Sequence, residues 1–283
     1  MIAKVLIRKW VDDTYEVERA SEVELELVAI MKVIEIDNTS EILHNRSEID
    51  RLRSQILDGA VVIQRGSFDP VFVQSLLNYL AEIGRSSLPN YQSIEFGAPN
   101  FHRLNKSDPR SHVKGCFHQF AFYPWNQDVF DLFERTRVLF QFKNALSKNE
   151  PNKYLGADGE DGIVTRLAFQ FYPSGKGYLN LHQDPVGSHQ LTVPTMSLTQ
   201  KGVNFQSGGA YIDDSDGHRH NLDDIMGPGD VAYFDARLKH GVELIDPDSE
   251  SPWTEFRGRW SLLIATNKLA TNTRVPDAVD YGA

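Results

Sequence analysis

Gly177-Tyr-Leu-Asn-Leu-His-Gln-Asp184 is the stretch on which the architecture of this chain turns. Its apolar and polar residues alternate as in a half-buried β-strand. Side chains two apart on a strand share a face, so His182 and Asp184 stand side by side, and Asn180 falls on the same parity. Pro185 ends regular pairing just beyond them. Far downstream, Gly227-Pro-Gly-Asp-Val-Ala-Tyr-Phe-Asp235 reads as a turn running into an apolar strand, and it leads to a second imidazole, His240. Around these lie further strand-like segments at 163–172, 191–199, 209–212, 241–245 and 260–266, separated by turn residues. Short strands at this spacing predict a β-sandwich or barrel.

The first half of the chain reads differently. Residues 3–36 alternate around Val5, Ile7 and Val23-Glu-Leu-Glu-Leu-Val-Ala-Ile30, which predicts an N-terminal strand-rich arm over 1–45. Such an arm covers a sheet edge or serves a homodimer; edge strands of the main fold are the plainer reading. Ser47–Leu57 has helical spacing with Ile49, Leu52 and Ile56 on one side, and Asp58-Gly59 stops it. Asp69-Pro70 opens a second helix whose buried stripe is Val73, Leu76, Leu77 and Leu80. Residues 84–127 carry many aromatics but little periodicity, as expected of pocket-lining loops. Residues 129–145 return to helical spacing. The expectation is one domain: helices and pocket-lining loops over 46–160, and a strand-built core with the metal site over 161–270.

Composition narrows the partners. Of 283 residues, 41% are hydrophobic and 24% charged, which is ordinary for a globular protein. A net charge of -10 argues against nucleic-acid and anionic-membrane partners, which require a basic surface. The single cysteine, Cys116, excludes an internal disulfide and suits a reducing compartment. Without a signal pattern after Met1, the expected location is cytoplasmic.

Two imidazoles and one carboxylate on one face of a metal leave the opposite positions open, the arrangement suited to non-haem Fe(II) and O2 chemistry. An isolated His-x-Asp is common. Joined in order to Gly-Asp-Val-Ala-Tyr-Phe, His240 and Arg259-Trp-Ser261, it becomes specific. Arg259 and Ser261 share a strand face and together suit a carboxylate; Arg257 has the same parity. Asn180, Gln170, Arg166 and Tyr172 fall on strands near the triad, where they would contact co-substrate or substrate, or serve as core polar groups satisfied by neighbours. His218-Arg-His220, set among Asp213, Asp214, Asp216, Asp223 and Asp224, reads as a solvated hairpin rather than a metal pair, and His189 is out of register with the triad.

From about Leu57 to Thr266 the chain resembles the Fe(II)/2-oxoglutarate-dependent dioxygenases with the double-stranded β-helix, or jelly-roll, fold. The residues that carry the resemblance are His182-x-Asp184, His240 and Arg259-x-Ser261, with Phe171-Tyr-Pro-Ser-Gly175 and Ser207-Gly-Gly-Ala-Tyr211 as flanking strand-and-turn elements. It implies that His182, Asp184 and His240 hold iron. It implies also that Arg259 with Ser261 binds the far carboxylate of 2-oxoglutarate, and that the products are succinate and a hydroxylated or desaturated small molecule. Related halogenases carry a small residue at the carboxylate position, so Asp184 implies oxygen transfer or desaturation. The 18 residues between His240 and Arg259 exceed the family's usual spacing, and the excess falls in the polar run Asp246–Pro252. That gap keeps Arg257 beside Arg259 as a candidate. The substrate expected is a small, partly polar molecule, amino-acid-like or a natural-product intermediate. On charge alone, Arg103 or Arg166 would meet a carboxylate on it. Two other readings remain: a jelly-roll metalloenzyme using the triad without 2-oxoglutarate, and a non-catalytic ligand-binding jelly-roll.

Overall fold

A computed structural model describes residues 31–282. The strand reading of Val5, Ile7 and Val23–Ile30, and with it most of the arm and its homodimer role, lies outside the described residues. The chain runs β1 (Val33–Ile36), α1 (Thr39–Ile42), α2 (Arg46–Leu57), β2 (Val61–Gln64), α3 (Pro70–Ser86), β3 (Phe101–Lys106), β4 (Gly115–Phe122), α4 (Leu132–Arg135) and α5 (Arg137–Leu146). It continues through β5 (Ile163–Pro173), β6 (Tyr178–Gln183), β7 (Thr195–Ser197), β8 (Gly209–Asp213) and β9 (Arg219–Asn221). The last strands are β10 (Val231–Tyr233), β11 (His240–Glu243), β12 (Gly258–Lys268) and β13 (Val279–Asp280).

Strands β5 to β12 make two four-stranded halves, β10-β7-β12-β5 and β6-β11-β8-β9. Apart from the β8–β9 hairpin, successive strands alternate between the halves, which is the winding of a double-stranded β-helix. The mainly β, helix-braced jelly-roll expected from the sequence is the fold observed. Strand β4 pairs with both β5 and β6 and so joins the halves into one curled sheet. β1 and β2 extend the β10 edge.

Period two sorts the two faces of the first half. On β5, Leu167, Phe169 and Phe171 point to the helices, as do Trp260, Leu262 and Ile264 on β12. They pack against Leu52 and Ile56 of α2, Leu76 and Leu80 of α3, and Phe140 of α5. Each such side chain contributes about 1.5–3 kcal/mol by burial, so this layer fixes the register. Asp69 accepts a hydrogen bond from Phe72 N at 2.9 Å to cap α3, with Pro70 in its first turn. No helix among the described residues is long and apolar enough to cross a membrane.

Three expectations are corrected. The segment 84–127 is not all loop: it contains β3 and β4, and every residue of β4 is buried. Aromatic residues on both faces, Phe117 on one and Phe120 and Phe122 on the other, break the apolar–polar alternation and hid the strand. The helical spacing of 129–145 resolves into α4 and α5, because Thr136 turns both N and Oγ1 back to Leu132 O at 2.9 and 2.7 Å and closes the first turn. Of 191–199 only β7 pairs as strand, since Pro194 has no N–H to give a ladder.

Behind β4 lies a pair of buried imidazoles. His118 Nε2 is 2.8 Å from His102 Nδ1, and His102 Nε2 is 2.8 Å from Ser87 Oγ. Burial, then the neighbouring His102, pushes His118 down to about 3. An unfolded chain takes up this proton near the ordinary 6.5, whereas the folded one refuses it until about 3. The stability His118 contributes is therefore complete above 6.5 and is lost as pH falls through that window, by up to about 1.4 kcal/mol per unit. Urea midpoints measured from pH 7 to 4 should fall, and His118→Phe should flatten that slope even though it lowers stability at every pH. An unchanged slope would show that His118 titrates as an exposed histidine.

Candidate active site

The two halves of the sheet enclose a cavity of about 350 Å³. At its inner end β6 and β11 run antiparallel with His182 directly opposite His240. Their rings lie 4.2 Å apart between centroids, with Phe234 edge-on to His240 at 5.1 Å. Asp184 follows His182 past the strand end, held by its N–H to Ala236 O at 3.1 Å. Its oxygens stand 4.0 Å from His182 Nε2 and 3.5 Å from His240 Nε2. One ligand atom from each residue lies within 4.8 Å of the others.

The hydrogen bonds settle which ring atoms are free. His182 Nδ1 donates to Asn180 O and His240 Nδ1 donates to Leu238 O, both at 2.8 Å. A carbonyl only accepts, so each Nδ1 carries the proton and each Nε2 presents a lone pair. Burial, then the second imidazole, lowers His182 to about 4, so it is neutral near pH 7. Burial alone would raise Asp184; the facing imidazoles of His240 and His182 and the Arg166 charge outweigh it and hold the carboxyl below its ordinary value. Two Nε2 atoms and a carboxylate converging on one point, each imidazole fixed by a backbone acceptor, fit a divalent transition metal. Gly241 makes the approach possible, since a Cβ there would lie 2.7 Å from Tyr211 Oη and 2.8 Å from Leu179 O.

Arg259 and Ser261 line the same cavity from β12, as does Tyr172 from β5. Arg259 is 2% exposed and its Nε donates to Asp223 Oδ2 at 2.6 Å. That bond occupies one edge of the guanidinium and leaves its terminal nitrogens without an acceptor among the described residues. Tyr172 Oη donates to Gln170 Oε1 at 2.7 Å, and Gln170 Nε2 reaches Gln119 Oε1 at 3.4 Å.

Two residues singled out from the sequence are not brought to the cavity. Arg257 is exposed and donates to Glu250 O at 2.9 Å; β12 begins only at Gly258, so strand parity does not extend back to it. Asn180 turns instead to Asp280 and to Gly282 O. The cause is a bulge: Val242 pairs with Leu179 while His240 pairs with His182, so β6 spends three residues where β11 spends two. Leu179 and His182 therefore share the cavity face and Asn180 does not.

Other cavity residues were not assigned to it from the sequence. His189, out of register with the triad, lines the wall, and Gln119 enters from β4. Val275 to Ala278 close one side. They precede β13, which pairs with His182 and Gln183 and holds the C-terminal segment against the triad strand. Asp214, Asp216 and His218 form a second cluster with metal-ligand spacing, but Asp216 and His218 are exposed on the β8–β9 hairpin, and Asp214 accepts from His220 at 2.8 Å. Asp223, grouped with that solvated hairpin in the sequence, is buried.

No family model and no curated protein matches the sequence. Among solved structures, a Pseudomonas putida prolyl-4-hydroxylase aligns over 79% of this chain and 100% of its own, with 13% identity and a TM-score of 0.48. The non-heme alpha ketoglutarate dependent epimerase SnoN from nogalamycin biosynthesis aligns over 81% of this chain and 89% of its own, with 10% identity and a TM-score of 0.44. A Trichoplax adhaerens prolyl hydroxylase in complex with a peptide of hypoxia inducible factor aligns over 82% of this chain and 94% of its own, with 14% identity and a TM-score of 0.44.

Proposed function

We propose that this chain is a non-haem Fe(II)/2-oxoglutarate-dependent oxygenase that hydroxylates or desaturates a small molecule. The observation that carries the reading is the convergence of His182 Nε2, His240 Nε2 and an Asp184 oxygen at the inner end of a cavity whose wall holds Arg259 and Ser261. His182, Asp184 and His240 would hold Fe(II), and the metal with 2-oxoglutarate and O2 would supply the oxidising chemistry. The protein's part is placement. The Nδ1 bonds to Asn180 O and Leu238 O stop either imidazole from rotating. The free edge of Arg259, with the Ser261 hydroxyl on the same face, presents parallel donors to the distal carboxylate of the co-substrate. Phe117, Leu179 and Phe234 make the surrounding wall apolar, which keeps water from competing at the site.

The experiment is an anaerobic titration of the full chain with Fe(II) and then 2-oxoglutarate. A weak visible charge-transfer band that needs both additions is the expected result. One observation favours a second reading, a metalloenzyme without 2-oxoglutarate: the charge of Arg259 is already matched by Asp223. In that case Fe(II) binds and 2-oxoglutarate changes nothing. A chain that takes up no metal at all overturns both.

A further inference from the structure

The outer part of the cavity holds a second cationic site, made by Arg103 of β3 and Arg166 of β5. Neither guanidinium forms an ion pair among the described residues, and Nε of each is buried with no acceptor. Gln119 Nε2, between them on β4, is also a buried donor without an acceptor. Carboxylates on the cavity wall are engaged elsewhere: Asp184 with the two histidines, Asp277 with His112 and Lys268.

The sheet register explains how two like charges come together. Arg103, Gln119, Gln170 and Ser261 stand opposite one another across β3, β4, β5 and β12. The next row on the same face is Phe101, Ala121, Ala168 and Leu263. Arg166 stands one row further on, beside the buried Tyr123, whose hydroxyl lies near its guanidinium. Ala121 and Ala168 are fully buried between the arginines, so the long side chains fold over small ones and bring their heads close. Arg103 is supported by the Tyr91 ring, 4.5 Å from its guanidinium carbon. Converging cations whose Nε donors are empty, and to which no carboxylate among the described residues is bonded, are costly to maintain unless an anion completes them.

The site is distinct from that of Arg259. Arg166 is opposite Ala265, six residues along β12 from Arg259, about 20 Å at roughly 3.3 Å per residue. Asp184 lies close enough to Arg166 for their charges to interact, so a molecule held by the arginine pair extends toward the triad.

We propose that Arg103 and Arg166, with Gln119, clamp the carboxylate of the substrate, a small organic acid whose apolar body lies along Phe101 and Leu263 toward the triad. The substrate role rests on the oxygenase reading; the carboxylate site itself does not. The test is calorimetric titration of the metal-free full chain with phenylacetate and 3-phenylpropanoate, and with their neutral amides. Saturable binding of an acid but not its amide is expected, weakened about tenfold or more by Arg166→Gln and by Arg103→Gln. Addition of 2-oxoglutarate should not displace the acid. Co(II) absorption at the triad reports that each variant is folded, and Arg166→Lys, which keeps the charge, should recover part of the affinity. Equal binding of acid and amide, no saturable binding of either acid, full affinity in the glutamine variants, or displacement by 2-oxoglutarate each overturns the proposal. Carboxylate binding in a chain that gives no Fe(II)/2-oxoglutarate band leaves the site standing and removes the oxygenase reading; the band without carboxylate binding does the reverse.

Discussion

Fe(II) binding should be lost when either His182 or His240 is replaced by alanine. In the proposed site each imidazole would supply one of three protein ligand atoms, its Nε2 facing the shared point. Removing a group that merely orients a ligand costs 10- to 100-fold in affinity as a rough guide, so removing the ligand should cost more than about a hundredfold. Anaerobic equilibrium dialysis against Fe(II), or Co(II) absorption as a proxy, measures it. Asp184→Ala should fall in the same class and also leave the cation without a carboxylate to balance its charge. Folding should survive, because an imidazole reduced to alanine leaves a polar gap open to the cavity rather than a void in the aromatic layer behind β5. Tight metal binding in His240→Ala would place the metal elsewhere and remove the basis of the proposed function.

The readability of this chain follows which residues see two environments. β5 and β12 have helices on one face and a cavity on the other, so Leu167, Phe169 and Phe171 alternate with Arg166, Ala168 and Gln170, and the alternation is visible in the sequence. The triad shared that advantage: His182 and His240 sit in strands whose register needs only their apolar neighbours to be fixed. β4 has the same two faces, Phe117 and Gln119 toward the cavity and Phe120 and Phe122 toward the helices, but aromatic residues on both leave no pattern to distinguish its run from a packed loop. Parity failed at Asn180 because a bulge is a local insertion that composition does not mark. It failed at Arg257 because the strand begins one residue later. Asp223 was hidden for another reason: it sits among acidic neighbours that are solvated, and only the long-range approach of β12 makes it different.

Asp223→Ala should destabilise the fold by about 3–5 kcal/mol, the cost of leaving one member of a buried ion pair without its partner. The Asp223 and Arg259 side chains are 1% and 3% exposed, so water cannot solvate the charge left behind. The same carboxylate accepts from Ala210 N at 2.6 Å, and a Cβ at Gly209 would sit 2.7 Å from it; the glycine lets the backbone come close enough to be satisfied by Asp223. Losing that acceptor adds a buried N–H with no partner, about 1–3 kcal/mol more. Urea denaturation gives the number, and a second substitution identifies its source. If the orphaned guanidinium is the cause, Arg259→Met in the Asp223→Ala background should recover most of the loss, because a well-packed apolar pair replaces a buried ionic one at little net cost. The Ala210 N–H stays unpaired in both, so recovery should be incomplete by that amount. The double variant separates two roles of one residue. Stability returns, while the Fe(II)/2-oxoglutarate band should not, because the donors that face the co-substrate leave with Arg259. A double variant as unstable as Asp223→Ala alone would mean that Asp223 serves the backbone of β8 and that the ion pair with Arg259 is incidental.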